Sequence, residues 1–196
     1  MTTIGLVLGS TRPGRRGHLI GEWVARRAAA RDDGVGYVGL DLLEFGLPVL
    51  DEPLPAKWGR YDHEHTRRWS AAVGACDGFV FITPEYNHAE PGGLKNAIDF
   101  LFDEWAHKAA GFVTYGIQGG YRAAESLRLV LAELHVATVR QQVAVNLMTD
   151  FEIVDPTEPG SYRPAEHHER DLATLLDEVV AWSTALAPLR SAPAVR

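Results

Sequence analysis

The sequence of 196 residues lacks several features that would place it in a specialised class of protein. It has one cysteine, Cys76, so an internal disulfide is impossible and a reducing compartment is the simplest expectation. Acidic residues outnumber basic ones by 26 to 19, and the net charge of −7 argues against non-specific binding to nucleic acid. No apolar run approaches the ~20 residues of a membrane helix, and the first residues lack the pattern of a secretory signal. We therefore expect a cytoplasmic protein that binds neither membranes nor nucleic acid.

Apolar runs of strand length alternate with helical patterns along the chain. The five runs are Thr3–Leu8, Gly36–Asp41, Gly78–Thr83, Ala109–Tyr115 and Val139–Val145. They show no clean alternation of polar and apolar residues, which is typical of strands in a sheet covered on both faces. The stretches between them predict helices, with Leu94–Trp105 among the clearest. This order predicts an α/β protein whose parallel sheet lies between two layers of helices, with strand order 2-1-3-4-5.

Two segments interrupt this rhythm within what we expect to be a single domain, residues 1–196. Leu42–Asp62 is rich in proline and predicts a long loop, and Asp155–Arg170 predicts a second irregular segment before the last helix. The final ten residues predict a frayed tail. Among the remaining aromatic residues, Trp23 and Trp182 are expected in the core.

The loop after the first strand has the composition of an anion site. The stretch Gly9–Ile20, GSTRPGRRGHLI, joins the apolar run Ile4–Leu8 to a helical pattern. In open α/β sheets, ligands bind at the carboxyl ends of strands where the strand order reverses, and this loop lies there. Ser10 offers a hydroxyl, and Arg12 can make charge-assisted, bidentate contacts with a phosphate. The loop therefore predicts a phosphate site.

The glycines of this loop and the helix that follows it favour the same interpretation. Gly14 and Gly17 permit close backbone approach, and the helix starting near His18 directs its N–H groups and positive dipole at the site. The loop lacks the Gly-Lys-Ser/Thr ending of a P-loop, and Gly9, Thr11 and Gly14 do not match the dinucleotide fingerprint. The alternative is a polar turn with surface arginines.

Two further stretches lie at the carboxyl ends of the third and fourth predicted strands. Thr83–Phe100, TPEYNHAEPGGLKNAIDF, combines a proline, an acid, an aromatic residue and an amide. Such a set favours a platform for a planar ligand over a centre for proton transfer. Lys95 and Asp99 lie four residues apart on the helix that follows and are expected to pair. Tyr115–Arg122, YGIQGGYR, has three glycines that let backbone N–H groups approach a ligand.

Together, the motifs GSTR, PEYN, LKNAID and YGIQGG resemble those of the NADPH-dependent FMN reductases, which include quinone, azo-dye and chromate reductases. The resemblance spans about Ile4 to Gly120 and continues more weakly to the end. It implies a flavodoxin-like fold and an enzyme in which bound FMN takes hydride from NADPH or NADH and passes reducing equivalents to a small acceptor, such as a quinone or free flavin. It also implies a homodimer or tetramer with the flavin near the subunit boundary.

The resemblance assigns roles to particular residues. The FMN phosphate would be held by Ser10, Arg12 and the turn that contains Arg15, Gly17 and His18. The isoalloxazine would be lined by Pro84, Glu85, Tyr86 and Asn87. Its far edge would be closed by the loop that contains Gly116, Gln118, Gly119 and Gly120. We expect Glu85 to act as a platform residue and no residue to act as a general acid or base.

The chain departs from the family pattern at three positions. Members often carry a serine three places after the motif arginine and an asparagine two beyond it, whereas this chain has Arg15 and Gly17. Arg15 suits a dianionic phosphate but could also face NADPH or solvent. Glu90 stands where relatives tend to have a small or aromatic residue. If it lines the pocket, its charge would disfavour anionic acceptors.

Other functions are less well supported by the sequence. The pairs His63/His65 and His167/His168 come without a third ligand at recognisable spacing, so no metal site is expected. Ser10 lacks the G-x-S-x-G context of a hydrolase. The main alternative is a flavodoxin-like electron carrier that binds FMN without oxidising NAD(P)H, although the T-x-T-G-x-T phosphate loop of flavodoxins is absent.

Overall fold

The computed structural model describes residues 1–155 and 157–191. Its main sheet contains five parallel strands in the order β2-β1-β3-β4-β5, as predicted. The strands are β1 (Thr3–Leu8), β2 (Gly36–Asp41), β3 (Gly78–Pro84), β4 (Ala109–Gly116) and β5 (Ala137–Asn146). Every residue of β3 and β4 is buried, which explains why these strands are nearly continuous apolar runs.

Helices cover both faces of the sheet and make a three-layer sandwich. On one face lie α1 (Gly17–Ala29) and α6 (Glu166–Ala185); on the other lie α3 (Glu64–Gly74), α4 (Gly92–Asp99) and α5 (Tyr121–Glu133). The shorter elements are α2 (Leu42–Phe45), a 3-10 helix (Ala56–Trp58), the hairpin strands β6 (Phe151–Glu152) and β7 (Ser161–Tyr162), and α7 (Ala187–Ser191). Each of the five helices that cover the sheet buries its apolar stripe against it, which leaves the polar loops at the strand ends.

The helix predicted over Leu94–Trp105 is shorter than expected, since α4 ends at Asp99. The chain turns there so that Trp105 can enter the core, where its indole Nε1–H donates to the carbonyl of Ile98 at 3.1 Å. Trp105 is fully buried, so it contributes to the core of this chain and is not available to a partner. The expected pair of Lys95 with Asp99 is confirmed, with Nζ–O distances of 2.7 and 2.8 Å.

The predicted irregular segments contain more regular structure than expected. The segment from Leu42 to Asp62 contains α2 and the 3-10 helix, and the segment from Asp155 to Arg170 contains β7 and the first turn of α6. Within the last ten residues, 187–191 form α7 instead of a frayed tail, and residues 192–196 lie outside the described residues.

The core predictions for single residues had mixed outcomes. Trp23 is buried as predicted, but the prediction for Trp182 was wrong, because this side chain on α6 is 48% exposed. Cys76 is buried, and burial raises the pKa of its thiol to about 11. A thiol with that pKa stays protonated and unreactive near neutral pH.

Candidate functional site

A cavity of about 270 Å³ lies at the carboxyl ends of β1, β3 and β4. Its lining comprises Arg12, Pro13, Gly14, Arg15, Arg16, Pro84, Glu85, Tyr86, Tyr115, Gly116, Leu147 and Thr157. The structure thus brings together residues from all three stretches that the sequence analysis selected. Strand order explains this, because β1 and β3 are adjacent at the point where the order reverses.

The amino end of α1 lies beside this cavity, and its first turn has no acidic residue. The N-cap residue, Arg16, makes no side-chain capping bond; the Tyr115 hydroxyl accepts from the N–H of Gly17, and the Arg16 carbonyl accepts from the N–H of Leu19 at 3.1 Å. The His18 imidazole does not cap it; Nδ1 lies 2.7 Å from the carbonyl of Arg15, which fixes the preceding turn. At Gly17 a Cβ would lie 2.7 Å from the hydroxyl of Tyr115, so only glycine allows this approach. The helix end is suited to an anion.

The three arginines of the loop have different surroundings. Arg15 binds the carboxylate of Asp41, at the end of β2, through both of its terminal nitrogens, and its Nη1 also donates to the carbonyl of Ser10 at 2.6 Å. Asp41 in turn accepts the N–H of Leu43 at 3.0 Å and caps α2. Arg15 therefore joins the loop to the neighbouring strand, a role that the sequence analysis did not foresee.

Arg16 and Arg12 differ from Arg15 in what they contact. The Nη2 of Arg16 donates to the carbonyl of Glu158 at 2.9 Å, in the β6–β7 hairpin. Arg12 lines the cavity and is exposed, and its guanidinium makes no hydrogen bond or ion pair with any described residue. Arg12 is thus a cation at the cavity wall that the described part of the chain does not neutralise.

Two tyrosines and a buried serine connect the loop to β3 and β4. Ser10 is buried, and its hydroxyl forms a hydrogen bond of 3.2 Å with the hydroxyl of Tyr86, in which either group can be the donor. Tyr115 is buried at the end of β4, and burial raises the pKa of its phenol above the usual value. Tyr115 therefore remains protonated at physiological pH. The cavity wall combines two aromatic rings with hydroxyl groups, which suits an aromatic ligand with polar edges.

The residues after β3 form a tight turn. Tyr86 and Ala89 exchange backbone hydrogen bonds of 2.9 and 3.2 Å, and the two residues between them, Asn87 and His88, have positive φ angles of 49° and 80°. Positive φ at both central positions is the signature of a type I′ turn, which asparagine tolerates well. Asn87 is exposed and is not part of the cavity lining.

Glu85 lines the cavity, but its carboxylate is bound to α5. Its Oε2 accepts the backbone N–H of Arg122 at 3.1 Å, and its Oε1 accepts from the guanidinium of Arg122 at 2.6 Å. Gln118 accepts a further hydrogen bond from Arg122 at 2.7 Å. The carboxylate therefore accepts at the amino end of α5 while being paired with a cation, and both of its oxygens have partners in α5.

In the glycine-rich stretch after β4, only Gly116 lines the cavity. Gly119 and Gly120 have φ angles of 74° and 75°, and they pack against the strand instead. A Cβ at Gly120 would lie 2.9 Å from both the Cβ of Thr114 and the backbone nitrogen of Tyr115. These two glycines are therefore required to fold the loop back onto β4 so that α5 can begin.

Several features of the cavity were not foreseen from the sequence. Tyr115, Leu147 and Thr157 line it, yet the first is the last residue of an apolar run and the other two follow β5. The sequence contained a weak signal for Tyr115, because its side chain carries a hydroxyl and lies at the carboxyl end of a predicted strand. Glu90 does not line the cavity; it is buried, with 9% of its surface exposed.

Neither a metal centre nor a membrane span is supported by the part of the chain that the structure describes. Over residues 1–155 and 157–191, histidine, cysteine and acidic side chains form no group of three or more that could hold a metal ion. His63 and His65 instead share the carboxylate of Asp51, at 3.9 and 3.0 Å. In the same ranges, no helix is long and apolar enough to cross a membrane.

Comparison with known proteins identifies the sequence family. The family model described as NADPH-dependent FMN reductase matches residues 2–150. An NAD(P)H-dependent FMN reductase from Nectria sp. is 41% identical over 140 residues, which are 67% of this chain and 70% of that protein. A protein of the same description from Schizosaccharomyces pombe is 36% identical over 77% of this chain and 78% of its own length. An NADPH azoreductase from a Bacillus species is 35% identical over 63% of this chain and 67% of its own length.

Comparison with solved structures supports the same fold. The flavoenzyme NAD(P)H:(acceptor) oxidoreductase FerB from Paracoccus denitrificans superimposes with a TM-score of 0.70 over 94% of this chain and 98% of that one, at 21% identity. At that identity the likeness shows the fold alone. The match of the family model to about three quarters of the sequence is the decisive finding, and with it the chain belongs to the NADPH-dependent FMN reductase family.

Proposed function

We propose that this protein is an FMN-dependent NAD(P)H oxidoreductase that reduces a small acceptor such as a quinone or a free flavin. The observation that carries the proposal is Arg12, a cation that makes no ion pair with any described residue, at the wall of a cavity beside the amino end of α1, whose first turn has no acidic residue. A cation and a helix amino end at one point constitute a site for a phosphate dianion. Membership of the FMN reductase family names the phosphate as that of FMN.

The residues around the cavity fit the rest of FMN. Its phosphate would contact Arg12 and the first turn of α1, while the ring system would lie against Pro84, Tyr86 and Gly116. Ser10 and Tyr115 would support the site indirectly. Ser10 contacts the hydroxyl of Tyr86, and the hydroxyl of Tyr115 lies against Gly17 at the start of α1. Gly119 and Gly120 would support the loop at the far edge, and Gln118 would act through Arg122. We regard residues 1–196 as one FMN-binding domain.

When bound, FMN supplies the hydride-accepting and electron-donating chemistry, and the protein contributes binding and orientation. No residue around the cavity is arranged as a general acid or base. The carboxylate of Glu85 is paired with Arg122, and the phenol of Tyr115 is held protonated by burial. A quinone can take its protons from water, so the reaction does not require a dedicated donor.

The order of substrates follows from the way the flavin ring would lie in the cavity, with one side against the protein and the other exposed. Nicotinamide and acceptor would use the same exposed side of the ligand in turn, so we expect ping-pong kinetics with either NADPH or NADH. Double-reciprocal plots of NAD(P)H oxidation against quinone concentration should give parallel lines. Purified protein that binds FMN but does not oxidise NAD(P)H in the presence of quinone would instead support the electron-carrier alternative.

The Glu85→Gln variant tests the platform role of this residue. The amide retains the size of the side chain and an oxygen that can accept from the N–H of Arg122. We expect turnover of the FMN-loaded variant within about tenfold of wild type, because loss of a general acid or base costs about 10²–10⁴-fold. A steady-state assay at matched flavin occupancy measures this. Inactivity of a variant that retains FMN, together with intersecting double-reciprocal plots, would show that the carboxylate takes part in the chemistry.

The assembly expected for this domain is a homodimer or a tetramer in the cytoplasm. Support comes from the segment between α2 and α3, where Val49 is 86% exposed and Trp58 is 64% exposed, more apolar surface than a solvated loop needs. The apolar residues of α4 give no such support, since Leu94 and Ile98 are buried in the chain's own core. Light scattering at micromolar concentration with FMN present tests the assembly, and a monomer would contradict it.

A further inference from the structure

We propose that the β6–β7 hairpin, described over residues 151–155 and 157–162, closes the phosphate end of the cavity and makes the site selective for FMN over FAD. The proposal rests on FMN being the cofactor. FMN ends at a phosphate monoester, whereas in FAD the same phosphate continues into an adenosine monophosphate group. Selectivity between the two therefore depends on what lies beyond the phosphate.

The tip of the hairpin lies directly against the phosphate loop. Thr157 lines the cavity together with Arg12 and its neighbours, and the carbonyl of Glu158 accepts a hydrogen bond from Arg16 at 2.9 Å. At Gly14 a Cβ would lie 3.2 Å from the carbonyl oxygen of Thr157. The hairpin therefore leaves little room for a side chain at position 14, at the end of the cavity where Arg12 and the start of α1 would hold the phosphate.

The base of the hairpin is fixed to the domain. Its strands pair Phe151 with Tyr162, and the ring of Tyr162 packs edge-on against Trp23 of α1 with a centroid distance of 5.4 Å. The hydroxyl of Tyr162 lies 3.2 Å from Nδ1 of His168, a buried residue of α6. Contacts with two helices therefore hold the hairpin in place.

Two residues of the tip, Asp155 and Thr157, are hydrogen-bonded to each other. A carboxylate oxygen of Asp155 accepts from the backbone N–H of Thr157 at 2.8 Å and from its hydroxyl at 2.7 Å. This turn positions the Thr157 carbonyl toward Gly14. The carboxylates of Asp155 and Glu158 also place two negative charges at the tip, where they would repel the second phosphate of FAD.

The hairpin is a feature of this chain beyond the segment that the family model matches. The match ends at residue 150, and β6 begins at Phe151. The phosphate loop and the platform after β3 lie within the match, so they account for binding of the flavin and its phosphate. The hairpin would lie beyond the phosphate, on the side where the adenosine monophosphate group of FAD would extend. We assign the discrimination between FMN and FAD to it.

A hairpin with a shortened tip tests this assignment. Glu152 and Ser161 are paired across the strands, so residues 153–160 can be replaced by Asn-Gly, which closes a two-residue type I′ turn. The replacement removes Thr157 and Glu158 but retains the contacts of Phe151 and Tyr162. Dissociation constants for FMN and FAD are then measured by flavin fluorescence on the full-length protein. We expect the preference for FMN to shrink by about tenfold or more, the effect of relieving one steric or charge clash.

Two point variants accompany this experiment. Asp155→Ala removes the acceptor that orders Thr157, so it should shift the preference toward FAD in the same direction but by less. If circular dichroism shows that the protein with the shortened hairpin does not fold, the preference of Asp155→Ala for FMN over FAD is the test of the role of the hairpin. Glu158→Gln tests the charge separately: it removes one of the two carboxylates but leaves the backbone carbonyl that Arg16 contacts, so it should shift the preference toward FAD by less than the shortened hairpin does. An unchanged preference in this variant would overturn the part assigned to the Glu158 charge.

The outcomes separate this inference from the proposed function. A wild-type protein that binds FMN and FAD equally, or a shortened variant that folds and has an unchanged preference, would overturn the role of the hairpin. In both cases binding of FMN to the wild type would still stand. Failure of the wild type to bind FMN would contradict the proposed function itself.

Discussion

Arg12→Ala is expected to weaken FMN binding by about 1.5–3 kcal/mol, a factor of about 10–150, the range for a hydrogen bond to a charged group. The Arg12 side chain has no hydrogen-bonding partner among the described residues. The substitution therefore removes a cationic partner of the FMN phosphate and breaks no side-chain contact with the described residues. For the same reason the variant should unfold at the same urea concentration as wild type when FMN is absent. Fluorescence titration with FMN measures the affinity.

Two variants provide comparison. Ser10→Ala should cost less affinity than Arg12→Ala, because the Ser10 hydroxyl acts on the site through Tyr86 and carries no charge. Arg26→Ala removes an exposed arginine from the far end of α1 and should leave affinity unchanged. If Arg12→Ala binds FMN as tightly as wild type does, the loop after β1 is not the phosphate site.

Arg15→Ala is expected to lower the stability of the FMN-free protein, whereas Arg12→Ala is expected to leave it unchanged. The side chains of Arg15 and Asp41 are 12% and 20% exposed, so removal of the arginine leaves a carboxylate largely buried without its cation. We expect the free energy of unfolding of the FMN-free protein to fall by about 2–3 kcal/mol, slightly below the range for breaking a fully buried pair. Urea denaturation measures this.

A double-mutant cycle provides the control. Because the pair is broken by either single change, Arg15→Ala combined with Asp41→Ala should destabilise the protein by less than the sum of the two single variants. Additive effects would mean that the ion pair contributes nothing to stability. Unchanged stability with a large loss of FMN affinity would show that Arg15 binds the phosphate, which is the role that the family resemblance assigns to it.

The pairing of Arg15 with Asp41 shows which parts of the site can be predicted from sequence. The loop could be found because its composition and its position after an apolar strand are local properties. The partner of Arg15 could not, since Asp41 follows a different strand and the contact depends on β1 and β2 being neighbours in the sheet. Glu85 is a similar case, because its pairing with Arg122 requires β3 and β4 to be adjacent.

The fold was more predictable than the site for a physical reason. β3 and β4 are buried throughout, so their apolar runs mark them without ambiguity, and the parallel order follows from the alternation with helices. The end of α4 was less predictable, because the helical pattern continues to Trp105 while tertiary packing turns the chain at Asp99. Thr157 was least predictable, since only the folding of the hairpin against α1 brings it to the cavity.

A crystal structure of the protein grown with FMN tests the central claim most directly. The account predicts that the phosphate lies within hydrogen-bonding distance of the Arg12 guanidinium and of N–H groups in the first turn of α1. It also predicts that the flavin ring lies against Pro84 and Tyr86, with Arg15 still bound to Asp41. A flavin bound outside this cavity, or a phosphate held away from Arg12, would contradict it.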